Sequence, residues 1–300
     1  MKNWLSKHWK AALYCYLGYL FSWLGGWLLS FNFETITNIS SWFFPAGVRI
    51  ASLLFIPRKY WPILLLAEIT AVYTVNTSLL SEQTVIEVIF STFSPFVIIA
   101  TSMFAYLRFW KNVRFNSFIH LINLMFWIII GTAINTLAFI SYLVTKDIVS
   151  IEQFYSTLYT FMMGDFIGIL LVLPFVNLMI ALLTDDHFNA SAFGRLLSIS
   201  AVFIVIVTAL LIALPQSAAY LPYMSLVLAL LFAYRSGWLG ASVSVLTIGT
   251  LLMISSLVSS EFETILNNQL AIILSLLLGL LIGSLPDNQR KIKYLLGKRN

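Results

Sequence analysis

Three ionisable residues sit where ionisable residues are costly. Arg49 lies in FFPAGVRIASLLF, Glu68 in WPILLLAEI and Asp165 in FMMGDFIGILLVLPF, each within an apolar run. A charge at the centre of a bilayer costs about 2.5–3.5 kcal/mol on insertion scales. Two opposite charges at one depth offset much of that by pairing. Arg49 precedes Arg58 by nine residues and Glu68 follows Lys59 by nine. On antiparallel neighbouring helices both then lie about 13 Å from the same membrane face, so an Arg49–Glu68 pair is expected. Asp165, about 17 Å from the outer end of its run, falls near the same depth. One arginine cannot fully neutralise two carboxylates: Asp165 is protonated, faces water, or awaits a ligand. The cluster either locks helix packing, binds a solute or signal, or relays a proton or ion.

Other candidates carry less. The single cysteine, Cys15, excludes an intramolecular disulfide and a CxxC metal site. His8, His120 and His187 have no second histidine at metal-ligand spacing. Asp185-Asp186-His187 reads as a solvated loop. There is no P-loop, GxSxG or HExxH. We therefore expect no catalytic residue, no metal, no cofactor and no enzymatic activity in these 300 residues.

The elements that must position the charges are helices. The chain is 60% hydrophobic and 10% charged, with a mean hydropathy of +0.93. Apolar segments near 20 residues long recur throughout, as in a polytopic helical membrane protein and unlike the short alternating segments of a β-barrel. The pattern predicts an all-α transmembrane bundle of about ten spans, near 11–31, 43–56, 62–80, 84–106, 118–143, 154–182, 196–214, 221–234, 238–258 and 266–285. With the N-terminus cytoplasmic, 15 of the 17 lysines and arginines fall on the cytoplasmic side and both termini lie there. That distribution excludes a nucleic-acid reading of the +5 net charge. The basic N-terminus precedes a run too long for a cleaved signal peptide, so an uncleaved first helix is expected. Trp9, Trp42, Trp61, Trp110 and Trp238 are expected as interfacial anchors.

Spans 43–56 and 221–234 are short, about 21 Å against a core of roughly 30 Å. Pro45 and Pro222 mark irregular entry points at their outer ends. A shift of 177 positions aligns Pro45 with Pro222, Leu53-Leu54-Phe55 with Leu230-Leu231-Phe232, Arg58 with Arg235 and Trp61 with Trp238. This is either a parallel repeat or the common habit of membrane helices to end in Arg and Trp. Gly164 and Gly168 leave one side of the sixth span bare for a neighbouring backbone, and Pro174 is expected to kink that helix.

FFPAGVRIASLLFIPRKYWPILLLAEI and GDFIGILLVLP together resemble the two hallmarks of the bacterial membrane-associated sensor domain of the first type. The first runs through Pro45, Gly47, Arg49, Trp61 and Pro62 to Glu68. The second runs from Gly164 and Asp165 through Gly168 to Pro174. The Arg49 and Trp61-to-Glu68 segments resemble the membrane part of hexose-phosphate sensor histidine kinases. The resemblance implies an integral sensory domain over residues 1–285, in the bacterial inner membrane. Residues 286–300 would begin a cytoplasmic signalling helix whose output domain, a kinase or cyclase, is absent from this sequence. Ser284 is expected to cap that helix, with Pro286 in its first turn. The implied role is to relay a small-solute or partner-protein signal, with a transporter-like membrane partner, a homodimer and membrane lipids as associates. The alternative is a small-solute transporter, which ten spans, buried charges and a repeat would equally suit.

Overall fold

The computed structural model describes residues 2–31, 33–36, 39–40, 42–79, 85–110, 117–185, 188–258 and 269–297. Its helices are α1 (Lys2–Phe31), α2 (Phe44–Phe55), α3 (Trp61–Leu79), α4 (Val85–Phe109), α5 (Phe118–Thr145), α6 (Phe154–Thr184) and α7 (Ala190–Ala213). The helical stretch Leu221–Val258 breaks at Gly237, and its two halves, 221–236 and 238–258, are α8 and α9. The last helix is α10 (Gln269–Gly297). A short antiparallel hairpin, β1 (Glu34–Ile36) with β2 (Ile39–Ser40), joins α1 to α2. Among the described residues, six helical stretches are long and apolar enough to cross a bilayer, and Phe44–Phe55 and Gln269–Leu285 are shorter apolar helices.

Lipid replaces water around such helices. Every backbone N–H and C=O must then be satisfied within the chain, which is why apolar sequence of this length adopts helix. The outward faces match that solvent: on α7, Val202, Val205 and Ile206 are 60–68% exposed.

The chain divides into two compact units, residues 1–113 with 125–169, and residues 114–124 with 170–300. In the first, α1 packs on α2 and α3, and α4 packs on the same two helices. In the second, α7 and α10 pack on the α8–α9 stretch. Each unit thus holds a broken helix pair with one helix packed on it before and one after in sequence. The details correspond as well. Pro45 is the second residue of α2 and Pro222 the second of α8, where a missing N–H leaves no hydrogen bond unmade. The breaks differ in chemistry. Between α2 and α3, Ile56 is extended, Pro57 has φ −54° and ψ 137°, and Arg58–Tyr60 form a 3-10 turn. Trp61 Nε1 donates to the Ile56 carbonyl across that break at 3.3 Å. Between α8 and α9 the break is Gly237 alone, at φ 62°, a conformation that side chains with a Cβ rarely adopt.

Two expectations are corrected. Trp42 is not an interfacial anchor. It is fully buried and stacks on Phe33 with ring centroids 4.8 Å apart, because the hairpin folds residue 33 back over it. No helix starts at Ser284: α10 continues through it to Gly297, and the Ser284 hydroxyl donates to the Leu281 carbonyl. Serine inside an apolar helix bonds back to its own turn, so it caps nothing here. At Pro174 the helix α6 continues unbroken, with the proline inside it.

Gly168 lies directly against the backbone of Phe43. A Cβ there would collide with the Phe43 carbonyl oxygen, whereas a Cβ at Gly18 would meet nothing within 4 Å. Gly168→Ala is expected to cost about 1–3 kcal/mol, the usual penalty of overpacking, while Gly18→Ala leaves stability unchanged or raised. Thermal unfolding of both variants in detergent micelles checks the contrast.

Candidate functional site: a buried ion pair beside an unpaired aspartate

The site is built from the start of α2. Phe43 N donates to the Gly164 carbonyl of α6 at 3.0 Å, an approach that the bare faces of Gly164 and Gly168 permit. Phe44 N donates to the Ser30 hydroxyl of α1 at 3.0 Å, and that hydroxyl donates to the Gly26 carbonyl at 2.8 Å. The entry to α2 is therefore held by main-chain and hydroxyl bonds to two other helices. Pro45 and Gly47 are buried in its first turn. Arg49 follows one turn later, on the inward face.

Arg49 meets Glu68 of α3. The guanidinium Nε donates to Glu68 Oε1 at 2.9 Å and lies 3.2 Å from Oε2, while Nη2 donates to Oε1. On the other side of the carboxylate the Tyr19 hydroxyl of α1 donates to Oε2. Arg49 is 6% exposed and Glu68 0%. One carboxylate thus ties α1, α2 and α3 together through a charge-assisted, two-nitrogen contact and a phenol. Tyr16, one turn before Tyr19, adds a bond from its hydroxyl to Thr70 at 2.9 Å.

Asp165 of α6 is buried at 2% exposure and stands apart from that pair. Arg49 exerts an electrostatic pull on it but its ion pair is with Glu68. The hydrogen bond that Asp165 makes is weak: Asn135 Nδ2 of α5 donates to Oδ2 at 3.4 Å. Asp165 Oδ1 and Asn135 Oδ1 have no protein partner, nor have the buried hydroxyls of Thr132, Thr136 and Thr157. These threonines differ from Thr70, Thr101 and Thr160, whose hydroxyls donate to the carbonyl four residues back. Phe139 of α5 lies on Phe161 of α6, ring centroids 4.9 Å apart. Together with Asn135–Asp165 this sets the two helices antiparallel, with Thr132 and Thr136 flanking Asn135 on one helical face. Buried polar atoms without partners are rare, because each costs roughly 1–3 kcal/mol.

With all three charged groups ionised the cluster carries one uncompensated negative charge. Such a set can hold or release a proton, accept a cationic or hydrogen-bonding solute, or exchange partners when helices move. Nothing in it resembles a nucleophile with its base. Among the described residues no group of three His, Cys, Asp or Glu could hold a metal ion.

The remaining expected residues take other places. Trp61 and Pro62 open α3 and line an apolar groove with Phe96 and Phe104 of α4, away from the charges. Pro174 is buried in the second unit's part of α6. Asp185 follows the last residue of that helix, Thr184, while Asp186 and His187 lie outside the described residues. Tyr19, Asn135 and the threonines were not expected. The signal for Asn135 was present: TAINT is a polar interruption within an apolar run of α5. Tyr19 gave none, since tyrosines are scattered through α1.

Fold and site together define a multi-pass helical membrane protein with a charge cluster in its interior. The family model of MASE1 matches residues 11–285, and the chain belongs to that family. MASE1 is a membrane-associated sensor domain of signalling proteins, sensory and not catalytic. No curated protein and no solved structure matches the chain.

A double-mutant cycle measures the pair. Arg49→Ala is expected to destabilise by about 3–5 kcal/mol, because it leaves a carboxylate buried and unpaired. Adding Glu68→Ala should recover part of that loss, giving a coupling of about 0.5–3 kcal/mol. Strict additivity in unfolding free energies would contradict the contact.

Proposed function

We infer that this chain is the sensory part of a bacterial inner-membrane signalling protein of the sensor-histidine-kinase kind. The observation that carries this is the asymmetry of the cluster: one carboxylate fully paired between three helices, the other buried nearby with an oxygen unsatisfied. That arrangement suits a two-state element. A stimulus that gives Asp165 a partner, or draws Arg49 toward it, changes what holds α1, α2 and α3 together. A ligand shifts such an equilibrium only through its differential affinity for the two packings.

In this reading the ten helices are ten spans with both ends cytoplasmic, as the distribution of lysine and arginine favours. Residues 1–285 form the sensor and residues 286–300 lead out of the membrane. The unbroken course of α10 to Gly297 supports a rigid connection to an output domain. The likeness of the Arg49 and Trp61-to-Glu68 segments to hexose-phosphate sensor kinases favours a transporter-like membrane partner as the immediate stimulus, in a homodimeric assembly. The cluster is then an internal switch and not a sugar site. The transporter reading keeps one observation in its favour, the like build of the two units. Uptake of solute into reconstituted vesicles would support it.

The test joins residues 1–300 in frame to the catalytic region of a diguanylate cyclase and measures product in cells. Asp165→Asn and Tyr19→Phe are expected to shift output by severalfold at unchanged membrane levels of the protein. Output equal to that of the parent chain in both variants would remove the switch role.

A further inference from the structure

A second site lies in the second unit, far in sequence from the charge cluster. The end of α8, the start of α9, the beginning of α7 and the segment leading into it enclose a pocket of about 860 Å³, a volume typical of small-ligand sites. Arg195 of α7 and Arg235 of α8 both line it. Both are exposed, and among the described residues neither takes part in an ion pair or a cation–ring contact. Asp185 lines it too, so among the described residues the charged side chains on the wall sum to one net positive charge. Asn189 caps α7, its side-chain oxygen accepting from Ala192 N at 2.9 Å. Ala192 lies on the pocket wall, so the first turn of α7 borders the pocket with the positive end of its dipole, although the N–H groups of Ala190, Ala192 and Phe193 are taken by the chain itself. Leu196, Ile199, Leu231 and Phe232 give the wall an apolar side, while Tyr234 and Ser236 add polar groups.

The first unit supplies a comparison. Leu54, Phe55 and Arg58 correspond to Leu231, Phe232 and Arg235 at the shift of 177 positions. They line a pocket of about 520 Å³ with Arg108. There Arg58 is engaged, its guanidinium 4.4 Å from the centre of the Phe104 ring. At the equivalent position, Arg58 is engaged by a ring in one unit, whereas among the described residues Arg235 meets no such ring in the other.

We propose that the Arg195–Arg235 pocket binds a phosphate group. Guanidinium groups match phosphate oxygens through paired, planar N–H donors. Two of them lining one pocket offer such donors to a tetrahedral anion held between them. The apolar wall next to it suits the chains of an anionic phospholipid, and basic pockets between membrane helices take lipid headgroups. A free phosphate would use the same arginines and leave that wall bare.

The test uses the purified chain in phosphatidylcholine nanodiscs and reads its thermal midpoint. One arm replaces a fifth of the lipid with phosphatidylglycerol. The other adds inorganic phosphate, with sulfate-free chloride at equal ionic strength as reference. A rise in midpoint in either arm that disappears in Arg195→Gln/Arg235→Gln supports the site, and the arm identifies the source as lipid headgroup or soluble anion. Arg58→Gln/Arg108→Gln removes the same charge from the other unit and should keep the rise. No rise in either arm, a rise that survives in the first variant, or an equal loss in both variants overturns the proposal. Since none of these residues belongs to the Arg49–Glu68–Asp165 cluster, failure here leaves the switch reading untouched.

Discussion

The first unit depends on the contact between the Arg49 guanidinium and the Glu68 carboxylate. Each charge alone would be expensive inside an apolar bundle; together, with the Tyr19 hydroxyl completing the carboxylate, they become the point where α1, α2 and α3 meet. A buried pair of this kind is poor evidence of extra stability, since desolvation consumes much of the Coulombic gain. What it confers is register. α2 is only 12 residues long, and a short apolar helix can slide or tilt in lipid at small cost. The pair fixes one depth, and the Phe43–Gly164 bond with the bare surface of Gly168 fixes the other end.

Against that fixed frame Asp165 is the exception. Its unsatisfied oxygen, with the Asn135 side-chain oxygen and three threonine hydroxyls also lacking partners, gives the interior of the first unit polar capacity that the fold does not use. A molecule selected for stability alone would replace such groups with apolar ones. In the proposed reading these groups, in the same unit as the Arg49–Glu68 pair, are what a stimulus acts on, which accords with membership of a membrane-associated sensor family.

Much of this was legible in the sequence because depth can be counted. Nine residues on either side of the Arg58-Lys59 turn placed Arg49 and Glu68 opposite each other, and the structure brings them together. Helix positions followed from apolar run length, and the two short segments with their prolines reappear as α2 and α8. The Gly164/Gly168 face met a backbone, as small residues at that spacing suggested. The failures share a cause: they depend on contacts that run length does not encode. Trp42 was placed by its position at the edge of a span, but a local hairpin buries it. Ser284 and Pro286 looked like a helix start, but a serine bonding to its own turn sits equally well mid-helix. Tyr19 and Asn135 were invisible as partners because nothing in a single sequence says which helices adjoin.

The central contact can be measured where it acts, in a lipid bilayer. Solid-state NMR with nitrogen label on the Arg49 guanidinium and carbon label on the Glu68 carboxylate gives the distance between them. A direct pair places the labelled atoms on the order of 4 Å apart, with strong dipolar dephasing. Absence of dephasing, meaning a separation beyond about 7 Å, would contradict the pairing, since hydrogen-bonded ion pairs do not extend that far.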